Sequence, residues 1–237
     1  MELVIRQDIK QYLEELEQWL EQTKDAPVED MSGFFSARLG DYEQHMALWK
    51  EAYQKFARLL PPECEKVLDL GCGTGLELDE IYRLRPDVQV TGVDLCKDML
   101  GQLRQKHPDK PLTLICQDYF QYDMGQEQWD AVISFESLHH FLSEKKGRLY
   151  QKIYTGLRRG GVFLLGDYIA CCPQEERMLQ EVYLEKRQRY HVPEEAFIHL
   201  DIPLTLECEL DLLRQAGFGS PTAVDSIQGA TFLVAQK

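Results

Sequence analysis

The sequence predicts an α/β fold. It is a doubly wound, mostly parallel seven-stranded sheet with an antiparallel C-terminal hairpin strand, plus N-terminal helices and an insertion after strand five. Three observations predict it. First, a strand-like run at 67–70 passes into glycines at alternate positions, Gly71, Gly73 and Gly75. An amphipathic run follows, with Leu76, Ile81 and Leu84 on one helical face. Second, strand-like and helix-like segments alternate as far as residue 166, the pattern of a parallel sheet covered on both faces. Third, strand-like segments at 222–227 and 231–235 are joined by a short turn at Gln228-Gly229. That length fits a hairpin and not a helical crossover.

Taken in order, residues 3–22 place Ile5, Ile9, Tyr12, Leu13, Leu16, Trp19 and Leu20 on one face of a packing helix. Pro27 and Gly33 break the pattern across 24–33. Residues 34–41 follow, and a second helix is expected from about Tyr42 to Leu60, ended by Pro61-Pro62. Residues 1–60 therefore read as an N-terminal helical extension and 61–237 as the main domain. Within it the strands are 67–70, 88–93, 112–116, 129–135 and 162–166, the last entered from Gly160-Gly161. Helices are expected after Gly75, over 97–106 and over 144–157. Residues 168–203 leave this alternation, with a helix over 175–190 and an irregular segment between Pro193 and Pro203. They read as an insertion. Thr205 is placed to cap a helix reaching Ala216, with Gly217 at its C′ position.

A chain of 237 residues can bury about 70% of its unfolded surface, so one main domain with additions is expected. The formal net charge of −14 argues against a large phosphate-binding surface, though not against a local basic groove. DNA is not expected as a partner, and neither is tRNA. Seven cysteines, an odd number without a C-x-x-C pair, give no disulfide framework and no zinc pattern. Reduced thiols and a cytoplasmic location are expected. Nothing resembles a signal peptide or a membrane span, so no membrane partner is expected.

The chemistry concentrates between Asp69 and Asp94. Glycine admits positive φ and close approach of a ligand to the main chain. The turn lies at the carboxyl end of a strand, where open α/β sheets bind ligands. The next helix aims its N-terminus there. A dinucleotide fingerprint needs glycine at the third position of G-x-G-x-x-G, but Leu76 and Leu78 stand at the two places where it would fall. The pattern is instead Asp-x-Gly-x-Gly-x-Gly, followed by an acid at 94. In this the chain, from about Val67 onward, resembles the class I S-adenosylmethionine-dependent methyltransferases.

The resemblance implies S-adenosylmethionine as cofactor, with S-adenosylhomocysteine as product, across the carboxyl ends of the first four strands. It implies that the loop Gly71, Cys72, Gly73 and Gly75 faces the methionine part and the sugar, with Asp69 helping to hold the amino group directly or through water. Asp94 would hold the ribose, Leu95 and Met99 would pack on adenine, and Asp118 with Tyr119 would meet the adenine amino group. Phe135 would lie near the methionine end. Phe135 to Phe141, the stretch after strand four, offers Glu136, His139 and His140, and the fifth strand ends in Asp167-Tyr168. His139, His140 and Asp167 are the candidate catalytic residues. Adjacent histidines at α-helical spacing point about 100° apart, so no metal site is expected. Two segments are left to cover the methyl end, 34–49 and 168–203. They carry Tyr42 and His45, then Tyr168, Tyr190 and His199, as candidate substrate or lid residues.

The expected function is methyl transfer to a small-molecule acceptor. Within the same superfamily, Gln-Ala-Gly-Phe218 after a Pro-Leu-Thr-Leu-Glu lead-in is similar to the carboxy-S-adenosylmethionine synthases, which act in tRNA modification. A non-catalytic cofactor-binding protein and a nicotinamide oxidoreductase are the remaining readings. The acceptor and the oligomeric state are not encoded in any motif.

Overall fold

The computed structural model describes Leu3 and residues 5–237. Positions 1, 2 and 4, at the head of the N-terminal extension, lie outside the described residues. The strands are β1 (Lys66–Leu70), β2 (Gln89–Asp94), β3 (Leu112–Cys116), β4 (Trp129–Phe135), β5 (Leu157–Tyr168), β6 (Thr222–Ile227) and β7 (Ala230–Gln236). They form one sheet in the order β3-β2-β1-β4-β5-β7-β6. β1 pairs in parallel with β2 and β4, and β2–β3 and β4–β5 are also parallel. β7 runs antiparallel between β5 and β6. The expected fold class is therefore the observed one. β4 is buried at every residue, which is why it reads as an unbroken apolar run.

Helices cover both faces: α4 (Leu76–Leu84), α5 (Lys97–Lys106), α6 (Ser143–Gly156) and α8 (Leu206–Ala216). One core lies under α4 and the helix before β1, around Phe56, Val67, Ile81 and Ile133. The other lies under α6 and α8, around Leu68, Tyr150, Phe163 and Leu213. Lys146 of α6 is fully buried and pairs with Glu209 of α8, whose second oxygen accepts from the Tyr150 hydroxyl at 2.6 Å. Among the described residues no helix is long and apolar enough to cross a membrane.

The structure departs from the sequence reading at five places. The first helix, α1, runs Ile9–Thr23 and starts six residues later than expected. The expected break across 24–33 ends early, because Asp30 caps α2 (Met31–Met46) by accepting from the Gly33 N–H at 2.8 Å. The helix expected from Tyr42 is thus the end of α2, a 3₁₀ turn at Ala47–Trp49, and α3 (Lys50–Leu59). β5 begins at Leu157, because a register shift against β4 between Trp129 and Ala131 lets the strand continue through the glycines. Thr205 precedes α8, but its side chain makes no capping bond, and its N–H donates to Glu176 at 2.7 Å.

The insertion carries α7 (Pro173–Arg189), opened by Pro173. A third apolar cluster joins it to α1 through Leu16, Leu179, Tyr183, Ile198 and Ile202. Lys186 of α7 donates to the carbonyls of Thr23, Lys24 and Ala26 just past α1. A bridge between Asp30 and Ile198 ties the start of α2 to the irregular segment. The N-terminal extension and the insertion therefore meet each other over the carboxyl edge of the sheet.

Candidate active site

The loop between β1 and α4 forms the floor of a cleft. Gly73 has φ +46°, and nothing lies within 4 Å of where its Cβ would stand. Its left-handed backbone favours glycine, and no protein group fills the space beside it in the cleft. Gly75 opens α4 in the left-handed region at φ +71°, tight against Leu103, where any side chain would collide. Asp94 clamps the loop. One of its oxygens accepts from the Gly73 N–H at 2.9 Å and the other from the Cys96 N–H at 2.7 Å. Burial pushes its carboxyl up.

Ten of the eleven sequence-expected cofactor residues line this cleft: Gly71, Cys72, Gly73, Gly75, Asp94, Leu95, Met99, Asp118, Tyr119 and Phe135. Asp118 also folds its own turn, accepting from the Phe120 N–H at 2.8 Å. Asp69 is the exception. It is fully buried beneath the loop, off the cleft wall, with no hydrogen-bond donor on either oxygen. Its neighbour is Glu77, in the first turn of α4, which does line the cleft. Burial, and then the Glu77 charge, push Asp69 well above the carboxylate range, while burial pushes Glu77 up to about 7. Both shifts favour a proton kept on this buried pair above the usual carboxylate range. The sequence signal for Glu77 was its place two residues after the last glycine, at the positive end of a helix.

Helix α2 closes the cleft with Met31, Phe35, Tyr42 and Met46, and a second cavity adjoins it along the same helix. This second cavity has a volume of about 550 Å³. Phe35, Tyr42, Met46, Glu136 and His140 line both. The expected lid residues Tyr42, His45, Tyr168 and His199 all face the second cavity. Tyr168 is braced by Glu175 and by the Tyr12 hydroxyl at 2.9 Å. His199 stacks on Phe34 with centroids 3.4 Å apart, and burial pushes it down to about 4. Tyr190 does not belong with them. Its hydroxyl donates to the Asp25 carbonyl at 3.0 Å on the outer surface, because α7 turns that residue toward α1.

His139 Nδ1 lies 2.6 Å from Asp167 Oδ1. Burial alone would lower the imidazole, but Asp167 and then Asp201 outweigh it and hold His139 well above the usual range. His140 is lowered by burial and then by His139, and its Nδ1 sits 3.1 Å from the Leu200 carbonyl. Glu136 is held at φ +47°, an uncommon conformation for a side-chain-bearing residue, with its N–H donating to the Gly166 carbonyl at 2.7 Å. Burial pushes it up to about 8, and one of its oxygens has no partner. Asp201, Gln228 and Gly229 also line this cavity, and no local pattern marked them. The sequence argument against chelation assumed α-helical spacing. His139 and His140 instead share a 3₁₀ turn, Leu138–His140, with ring centroids 4.0 Å apart and Asp201 facing both.

Comparison with known proteins places this geometry. Residues 67–161 match the family described as a methyltransferase domain. A carboxy-S-adenosyl-L-methionine synthase of Campylobacter concisus is 31% identical over 172 residues, which cover 68% of this chain and 72% of that one. The O-methyltransferase cnsE of Penicillium expansum is 30% identical over 68% of this chain and 54% of its own length. Human N-acetylserotonin methyltransferase, solved in complex with SAM, superposes with a TM-score of 0.63 at 18% identity, over 92% of this chain and 62% of that one. DesVI of Streptomyces venezuelae gives 0.61 at 17% identity, over 83% and 97%. The matched domain, the glycine loop and the sheet order together mean that this chain belongs to the class I S-adenosylmethionine-dependent methyltransferases.

Proposed function

We propose that this enzyme methylates a small-molecule acceptor held in the 550 Å³ cavity beside its cofactor cleft. The observation that carries the reading is the shared wall. Phe35, Tyr42, Met46, Glu136 and His140 border both spaces, so a group in one can meet a group in the other. S-adenosylmethionine fits the cleft by the chemistry of its lining. The space above Gly73 is open, each Asp94 oxygen keeps a lone pair for a ribose hydroxyl, and Glu77 offers a carboxylate to an ammonium group. Tyr42, Tyr53 and Phe135 present aromatic faces suited to a sulfonium. The bound cofactor supplies an activated methyl group. The protein's share is alignment and exclusion of water, which the α2 wall and residues 168–203 provide. His139 and His140 line the acceptor cavity, where they orient the acceptor, and the buried Asp167 positions His139 from behind.

The relatives named carboxy-S-adenosyl-L-methionine synthase suggest a second activity. Their named product carries an additional carboxylate, which calls for a cationic partner. No Lys or Arg stands among the described residues lining the cofactor cleft, whereas Glu77, Asp94 and Glu136 do. Arg38, in the second cavity, is held bidentately by Glu29 at 2.9 and 3.1 Å and stacks on Phe34. Methyl transfer is therefore the reading these side chains support. The test is to incubate the protein with S-adenosylmethionine and, in separate arms, a panel of small-molecule nucleophiles and a panel of small carboxylic acids as carboxyl donors, with mass-spectrometric detection. Acceptor-dependent S-adenosylhomocysteine together with a methylated acceptor is the expected result. A carboxylated cofactor as product would overturn the proposal in favour of the second activity.

A further inference from the structure

We infer that His139, His140 and Asp201 form a binding site for a divalent transition-metal cation on the floor of the acceptor cavity. One donor atom from each residue lies within 4.8 Å of the other two. The histidines come from the 3₁₀ turn after β4 and the aspartate from the segment ahead of α8. The Ile202 N–H donates to the His139 carbonyl at 2.8 Å, so backbone hydrogen bonding fixes one segment against the other.

The spacing is that of ligands around one ion. Asp201 Oδ1 is 3.5 Å from His139 Nε2 and 3.2 Å from His140 Nδ1. Both are longer than the roughly 2.7–2.9 Å of a charge-assisted N–H···O⁻ bond. Two donors about 2.1 Å from a common cation, at about 100–110°, stand about 3.2–3.4 Å apart. His139 is also prepared for this role. Its Nδ1 bonds to Asp167 at 2.6 Å, which leaves Nε2 facing Asp201, and a cation bound there takes the place of the proton on Nε2. A carboxylate behind a ligating imidazole in this way fixes the tautomer and raises its basicity. His140 Nδ1 also faces the Leu200 carbonyl at 3.1 Å, and coordination through that atom exchanges this one hydrogen bond for the metal.

Charge points the same way. Glu136, Asp167 and Asp201 surround the two imidazoles, and among the described residues no Lys or Arg forms an ion pair with any of the three. Asp167 is fully buried, yet one of its oxygens has no partner, and one buried oxygen of Glu136 is likewise unpartnered. Three carboxylates around two imidazoles leave an excess of negative charge, which favours a divalent cation. Two nitrogens and one carboxylate favour zinc, iron(II), cobalt or manganese over magnesium or calcium. Three protein ligands leave coordination positions open to the cavity, where an acceptor oxygen or nitrogen can bind and be made more acidic. The inference rests on this side-chain arrangement and not on the methyl-transfer reading.

The experiment uses the full chain, stripped with chelator and titrated with cobalt(II) alone and then with zinc. One equivalent of cobalt, a d–d absorption band and its loss on zinc addition are expected. Asp201→Ala should weaken cobalt binding at least tenfold, and Asp167→Asn about tenfold to a hundredfold. Calorimetry with S-adenosylmethionine on the same samples verifies that each variant is folded. Absence of a cobalt site in protein that binds S-adenosylmethionine would overturn the metal inference and leave methyl transfer intact. Equal cobalt affinity in folded wild type and Asp201→Ala would overturn it as well.

Discussion

Glu77 is where the cofactor cleft and the stability of the fold oppose each other. Its carboxyl is pushed from 4.5 up to about 7 by burial, next to a second acid with no hydrogen-bond donor of its own. The folded state therefore binds a proton more tightly than the unfolded chain does. The stability contributed by this group is fully present below pH 4.5 and is lost as pH rises through about 7. At 1.36 kcal/mol per unit, the loss is on the order of 3 kcal/mol, spread over the Asp69–Glu77 pair. Glu77→Gln keeps the shape of the protonated acid and removes the titration. The ligand-free variant should match wild type at pH 4.5 and exceed it by about 2–3 kcal/mol at pH 8, while binding S-adenosylmethionine about tenfold more weakly. Urea unfolding at several pH values and calorimetry at pH 8 measure both effects. Wild-type and variant stability curves that run parallel from pH 4.5 to 8 would refute the account of a proton kept on the pair.

Three further outcomes are expected. Asp94→Ala should weaken S-adenosylmethionine binding by about 1.5–3 kcal/mol by calorimetry and also lower Tm, since the Gly73 and Cys96 N–H groups lose their acceptor. Lys146→Met should destabilise by about 3–5 kcal/mol in denaturant titrations by leaving Glu209 charged and buried. Adding Glu209→Gln, which keeps an acceptor for Tyr150, should restore most of that. Amide exchange in 34–49 and 168–203 should slow on cofactor addition, and Tyr42→Ala should lower turnover more than global stability; unchanged exchange in both segments would remove the basis for treating them as a lid.

What could be read in advance follows from how local each signal is. β4 and the Gly71–Gly75 loop declare themselves because burial on both faces and positive φ leave direct compositional traces. The loop also located Asp94, whose role is set by topology alone. The burial of Asp69 was not legible, because a strand-end acid can lie beneath a glycine loop or beside it, and sequence does not say which. Glu77 was hidden for the converse reason: a charged residue in a helix's first turn reads as solvated. Pro27 and Gly33 announced a break in the helical region, while the Asp30 cap that ends the break works through one hydrogen bond. His139 and Asp167 could be grouped because they lie at or just after the ends of neighbouring strands, β4 and β5, whereas Asp201 was beyond local reading, since it joins them only after the insertion folds back over those strands.

The strand order also sets a timetable for synthesis. β5 ends at Tyr168, but its outer neighbour β7 begins at Ala230, and β6, made before β7, lies beyond it. While the intervening sixty or so residues emerge at about 5–20 per second, β5 presents an unpaired edge for on the order of 3–12 s. That edge belongs to a strand whose Phe163, Leu164 and Leu165 are almost fully buried in the finished molecule. An unpaired apolar edge is a template for pairing with another chain. For a nascent chain of this topology the hazard is therefore a foreign strand taking the place reserved for β7. The ribosome-bound intermediate stalled before Ala230 is the species on which a chaperone would act.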